Sequence, residues 1–269
     1  MRSRVFRRAF RTSGAFIVIS AWALTSTATL ALAQAPAAKA KPAPAAIASV
    51  SPAILELRGL SPSMRPRGVE SLMAAVARRT AVETDIAKLA RVWPLDAALF
   101  EHPLAFLSGE SDFEALNERE VDALRTYLSS GGMIVIDDSS KRADSAFAVR
   151  ARAEMSRVLG GRVFEPLSHE HALFRAFYLL DRAWGRVEVD QELSGIVMNR
   201  RVAVLFSAND MLGAWQKDEA GGWANDVAPG GTRQREMAIR LGVNLTLYAL
   251  TLDYKEDLVH LPLILERGR

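Results

Sequence analysis

The sequence predicts an α/β domain built on a mainly parallel sheet. Short continuous apolar runs, of which Leu104 to Leu107 and Met133 to Ile136 are the clearest, are bounded by glycine, serine and aspartate. Strands buried on both faces have that character. Amphipathic stretches with apolar residues at helical spacing lie between the runs, the alternation that βαβ units produce. Of 269 residues, 236 remain after a leader of 33, enough for one such domain with a substantial core.

The leader spans residues 1–33. Arg2, Arg4, Arg7, Arg8 and Arg11 precede an apolar stretch from Ala15 to Leu32 that closes on Ala31-Leu32-Ala33. A basic start, an apolar centre and a small-x-small end make a cleavable export signal. Ser20, Thr25, Ser26, Thr27 and Thr29 interrupt the apolar stretch, which disfavours a permanent span. The expected location is therefore the periplasm or the exterior, with membrane contact only through an uncleaved leader. Residues 34–50 are almost wholly Ala, Pro and Lys, a composition that buries no core and reads as a disordered tether. Residues 51–269 form the expected single α/β domain.

Charge narrows the function. The formal +3 arises from 34 basic and 31 acidic residues, and the leader holds five of the basic ones and no acidic one. The mature chain then carries 29 against 31, a balance of −2, which lacks the basic footprint of nucleic-acid binding. Cysteine is absent, which removes disulfides, thiolate catalysis and a lipoprotein anchor.

Within the domain, Ala53 to Leu57 is the first expected strand. A helix over 68–79 follows, with Val69, Leu72, Met73 and Val76 on one face. Residues 80–100 are ambiguous, with a candidate strand over Leu89 to Trp93. Asn117 and Glu120 have capping-box spacing for a helix carrying Val121, Leu124, Tyr127 and Leu128, stopped by Gly131 and Gly132. A helix over 147–159 ends at Gly160 and Gly161. Ile196 to Met198 and Val202 to Phe206 read as a hairpin. A long glycine-rich connection over 209–232 precedes a final helix over 233–252, and a connection of that length is a candidate working surface.

Ligands in open α/β sheets bind beyond the carboxyl ends of the strands. Glu110 follows the 104–107 run, and Asp137 and Asp138 follow the 133–136 run. Such carboxylates could serve a hard cation, sugar hydroxyls or acid/base chemistry, or only cap loops and helices. His171 lies in His169-Glu170-His171, whose spacing departs from that of a zinc-protease helix; ligation and simple packing both remain open. Asn209, Asp210, Trp215 and Trp223 lie in the long connection, where the indoles could stack on sugars, anchor a partner or cover the core. Arg233, Arg235 and Arg240 form either an anion site or a solvated helix face. No nucleophile elbow, phosphate loop or dinucleotide fingerprint is present, and neither a catalytic residue, a metal nor a cofactor is assigned.

Residues 234–267 carry a resemblance. Arg235-Glu236, Arg240, Gly242-Val243-Asn244, Tyr248 and Thr251, then Tyr254-Lys255, His260, Pro262 and Glu266-Arg267, resemble the C-terminal signature of the bacterial domain-of-unknown-function 4159 family. Gly131 to Asp138, His171 to Phe174 and Ser207 to Trp215 are similar to other blocks of that family. The resemblance implies a three-layer, flavodoxin-like α/β sandwich like that of class I glutamine amidotransferases and trehalose-utilisation proteins, and it implies no established activity. Amidotransferase chemistry does not carry over, since its cysteine is missing. Many members have a histidine where this chain has Glu110. The setting of larger relatives implies an envelope partner, such as a component of a MoxR and von Willebrand A-type system. The leading expectation is a non-catalytic envelope interaction module; the alternative is a hydrolase or carbohydrate-binding protein using the acidic edge.

Overall fold

The computed structural model describes residues 49–61, 65–85 and 89–267, with side chains described as far as Thr251. The leader and most of the tether lie outside the described residues. The last two residues of the expected tether are structured: β1 (Ser49–Val50) pairs in parallel with β3 (Glu83–Thr84), because Val50 finds a place in the core at 1% exposure.

Seven strands make the main sheet. They are β2 (Ala53–Leu55), β4 (Ala90–Val92), β5 (Leu104–Gly109), β6 (Met133–Asp138), β7 (Glu165–Pro166), β8 (Ser194–Met198) and β9 (Arg201–Ser207), in the order β4-β2-β5-β6-β9-β8-β7. The first five in that order are mutually parallel, while β8 runs antiparallel to β9 and to β7. Alternate side chains of the central strands feed two separate cores. Leu104, Phe106, Met133 and Val135 pack with α1 (Pro66–Arg79), α4 (Met211–Trp215) and α5 (Gly231–Arg267). Ala105, Leu107, Ile134 and Ile136 pack with α2 (Glu118–Ser129) and α3 (Ala146–Val158). The result is the predicted three-layer α/β sandwich.

Local signals act as read. The Asn117 side chain accepts the Glu120 N–H at 3.0 Å while Glu120 accepts the Asn117 N–H at 2.8 Å, so both orphan donors of the α2 start are satisfied. Gly131, at φ 110°, ends α2, and the Gly132 N–H donates to Tyr127 O at 3.0 Å. Asn199 and Arg200 take φ values of 47° and 66°, the left-handed pair that a two-residue hairpin turn requires.

Three expectations change. The strands reach further than their apolar runs, so Ser108, Gly109, Asp137 and Asp138 lie within β5 and β6 and not after them, paired Ser108 with Asp137 and Gly109 with Asp138. Backbone pairing continues where the side chains turn polar. The connection over 209–232 is not a loose loop, because it contains α4, whose five residues are all buried. The final helix is 37 residues long, and among the described residues no helix is long and apolar enough to cross a membrane. Close approach of α5 to α1 and α4 needs a glycine: a Cβ at Gly242 would stand 2.4 Å from Leu72 and 2.8 Å from Trp215.

Candidate functional site

The order of the parallel strands reverses between β2 and β5, which is where a flavodoxin-like sheet opens its ligand crevice. The protein fills this position itself. A Cβ at Gly109 would meet Leu60 at 2.6 Å and Phe147 at 2.7 Å, and the Glu114 N–H donates to Arg58 O at 2.9 Å across the same edge. Beside it, Glu56 is paired with Arg91. Glu110 is exposed just past β5.

Asp137 and Asp138 point to opposite faces, as neighbours on one strand must. Asp137 is fully buried and accepts the N–H groups of Met211 and Leu212 at 2.7 and 2.8 Å, fastening α4 onto the end of β6. Burial raises its carboxyl well above the ordinary value of 3.8, with the Asp210 carboxylate pushing the same way and the two N–H bonds opposing. Asp138 accepts from the Ser145 hydroxyl at 2.6 Å and the Ser140 N–H at 2.8 Å. Ser145 in turn caps α3 through the Ala148 N–H. Both aspartates therefore hold loops and helix starts in place.

Because burial makes the folded Asp137 carboxyl a weaker acid, stability depends on pH through this group. The unfolded chain releases this proton above about pH 4, whereas the folded protein retains it to higher pH. The group's contribution to stability is thus complete below that pH and is lost as pH rises toward the folded value. Asp137→Asn cannot ionise and is expected to flatten that part of the profile. Urea midpoints of the variant and the parent at pH 4 and pH 7 check this; equal slopes would show that Asp137 is ionised in the folded state.

Asp210 has left-handed backbone, φ 50° and ψ 58°. Its carboxylate accepts from Arg65 at 3.2 and 3.3 Å, from Arg186, and from the Gly213 N–H at 3.0 Å. Asn209 is a clamp for the segment 183–190: its Oδ1 accepts the Val189 and Asp190 N–H groups, and its amide donates to Asp190 O at 2.6 Å. As contact residues of a loop, Asn209 and Asp210 are thus corrected to buried supports, 1% and 0% exposed. Trp215 receives the same correction. At 1% exposure it meets Phe106 edge to face at 6.2 Å and donates its indole N–H to Ala238 O at 2.8 Å. The core takes it because α4 docks between β6 and α5, which its flanking glycines concealed in the sequence.

His171 stands away from the acidic residues. Its Nδ1 accepts the Leu173 N–H at 3.2 Å and its ring packs on Tyr248, whose hydroxyl accepts the N–H of Val202 at the start of β9. That is the amino edge of the sheet, opposite Asp137 and Asp138, so the four candidates Glu110, Asp137, Asp138 and His171 form no common site. Burial lowers the His171 pKa.

Two surface features remain. A groove of about 630 Å³ is lined by Asp181, Arg182, Trp184, Glu188 and Arg233 among others. Its charges are largely satisfied internally: Arg182 pairs with Glu188 at 2.9 Å and covers the Trp184 ring at 3.9 Å, and Asp181 accepts the Trp184 indole N–H. Of the three helix arginines, Arg235 is turned inward to Ala214 O and Asn225 O, Arg240 pairs with Glu236, and Arg233 is exposed; they do not converge on an anion.

The second feature is a hairpin over 217–223. Lys217 and Trp223 bridge its base, and the Asp218 N–H donates to Gly222 O at 2.9 Å. Trp223 is 46% exposed, with Lys217 Nζ 5.0 Å and Arg235 Cζ 4.5 Å from its ring centre. Sequence reasoning found Trp223 but missed Arg65, Arg186 and Lys217, whose importance depends on partners brought together only by folding.

No curated protein sequence matches this chain. Among solved structures, a ThuA-like protein from Bacteroides uniformis ATCC 8492 is similar at 14% identity and a TM-score of 0.26, over 58% of this chain and 62% of that one. The family described as "Domain of unknown function (DUF4159)" matches residues 53–250, and the match spans the main sheet from β2 to β9, both cores and the described side chains of α5 almost to their end; the chain belongs to that family.

Proposed function

We propose that the protein is an exported, non-catalytic interaction module of the bacterial envelope that meets a protein partner through the 217–223 hairpin and Trp223. The observation that carries this reading is the contrast between polar and aromatic residues that face inward and Trp223, which stays at the surface. Asp137, Asp138, Asn209, Asp210 and Trp215 are spent on internal bonds and packing, while Trp223 is held half exposed on an ordered turn. Exposed tryptophans at such positions are frequent energetic centres of protein contacts. The basic-apolar-small leader supports export. The setting of larger relatives supports a partner of the MoxR and von Willebrand A type. A hydrolase or carbohydrate-binding role for the acidic edge is the weaker reading, since Asp137 and Asp138 already have donors on opposite faces of β6 and His171 lies at the other edge of the sheet.

Trp223→Ala is expected to leave folding stability within about 1 kcal/mol of the parent and to abolish capture of a specific partner. In-cell crosslinking of the envelope fraction, with parent and variant side by side, measures this. Undiminished capture by the folded variant would remove the hairpin from the contact.

A further inference from the structure

Next to the hairpin lies a groove of about 160 Å³ between α1, α5 and the 217–223 turn. Its floor is apolar: Leu72, Trp215 and Ile239 are all at least nine-tenths buried and reach the groove from beneath. Trp223 forms one wall. The rim is charged, and its charges do not cancel. Glu236, the acidic residue lining the groove, is already shared by Arg79 at 2.8 Å and Arg240 at 2.9 Å. The hairpin's own carboxylates are also engaged, Glu219 by Arg67 at 3.2 Å and Asp218 by the Gly222 N–H. Arg78 and Lys217, by contrast, have no carboxylate within 4.0 Å among the described residues. Lys217 is instead held over the Trp223 ring.

An apolar slot the size of one side chain, beneath two uncompensated cations, has a definite complement. We propose that this groove binds an acidic segment of a partner protein, one apolar side chain entering over Trp215 while flanking carboxylates meet Arg78 and Lys217. This rests on the interaction reading above and names the chemistry of the partner. A basic or neutral segment would leave the two cations facing solvent or each other, and opposite charges across an interface set register and partner choice. Stacking of a sugar on Trp223 is less suited to the site, because Lys217 and Arg235 already lie over that ring.

The test titrates the purified chain with a ten-residue peptide alternating glutamate and leucine, its lysine-for-glutamate counterpart, a single-stranded oligonucleotide, and phosphatidylglycerol vesicles. The acidic peptide is expected to bind, to weaken with added salt, and to lose about tenfold in affinity when both cations are reversed in Arg78→Glu/Lys217→Glu. The Trp223 indole resonance should shift on binding to the parent. Equal binding of the lysine peptide, tighter binding of the oligonucleotide or vesicles, or a double variant that is folded and binds as well as the parent would each overturn the proposal. If the acidic peptide fails while Trp223→Ala still loses the crosslinked partner, the assigned chemistry falls and the interaction reading stands.

Discussion

Trp215→Ala is expected to cost about 3–5 kcal/mol of folding stability, the range for truncating a large buried aromatic. The side chain fills the junction of three elements. It meets Phe106 of β5 edge to face, lies against Gly242 of α5 where even a Cβ would intrude, and ties α4 to α5 through its indole bond to Ala238 O. Alanine leaves a cavity and removes the indole bond together. Trp215→Phe should recover most of the packing and lose only the indole bond, a difference from the parent of about 1–3 kcal/mol. Urea midpoints of the two variants check the order. If alanine and phenylalanine were equally mild, Trp215 would not be the keystone of that junction. The loss for alanine is a large fraction of the stability of an ordinary domain. A double substitution of Trp215 and Trp223 would therefore confuse unfolding with loss of contact, and Trp223 alone is the informative variant.

Asp210→Ala is expected to be similarly severe, at about 3–5 kcal/mol. The carboxylate is fully buried and gathers Arg65 from the start of α1 and Arg186 from the segment preceding β8. Its removal strips both guanidiniums of that charge in a place where water compensates poorly, and it frees the Gly213 N–H at the start of α4. A companion variant separates charge from backbone. Asp210→Asn keeps an acceptor and tolerates the left-handed backbone, so it should lose the ion pairs while retaining the cap, and fall between alanine and the parent. Thermal unfolding of the three proteins measures this. An asparagine variant as stable as the parent would mean that the cap, and not the arginine pairing, carries the effect.

These two residues mark the boundary of what was legible. Asn117 with Glu120, the glycine stops at Gly131, Gly160 and Gly161, and the run Met133 to Ile136 all announce themselves within a few residues. They do so because capping, left-handed φ and continuous burial are local requirements. The arrangement of two cores also follows from alternation along β5 and β6. Asp210, Asn209 and Trp215 sit among glycines in a polar stretch, and local composition could not reveal that their partners come from β5, β6, α1, α5 and the 183–190 segment.

The candidate site divides in the same way. The carboxyl edge that holds Glu110, Asp137 and Asp138 was legible from the apolar runs, although β6 extends through both aspartates. That they would be unfit to act together was not legible. The alternating faces of β6 separate Asp137 from Asp138, and the opposite edge of the sheet holds His171 against Tyr248.

By itself, then, the sequence determined the class of fold, the order of its main elements and the expectation of export. These depend on periodicity, capping and composition, which act over a turn or a strand. Only the tertiary structure decided which polar and aromatic residues face inward. A carboxylate between Arg65 and Arg186, separated from Asp210 by 145 and 24 residues respectively, becomes a support, whereas Trp223 on its hairpin remains at the surface. Burial and charge pairing depend on which distant segments the fold brings within a few ångströms, and neighbouring residues along the chain carry little of that information.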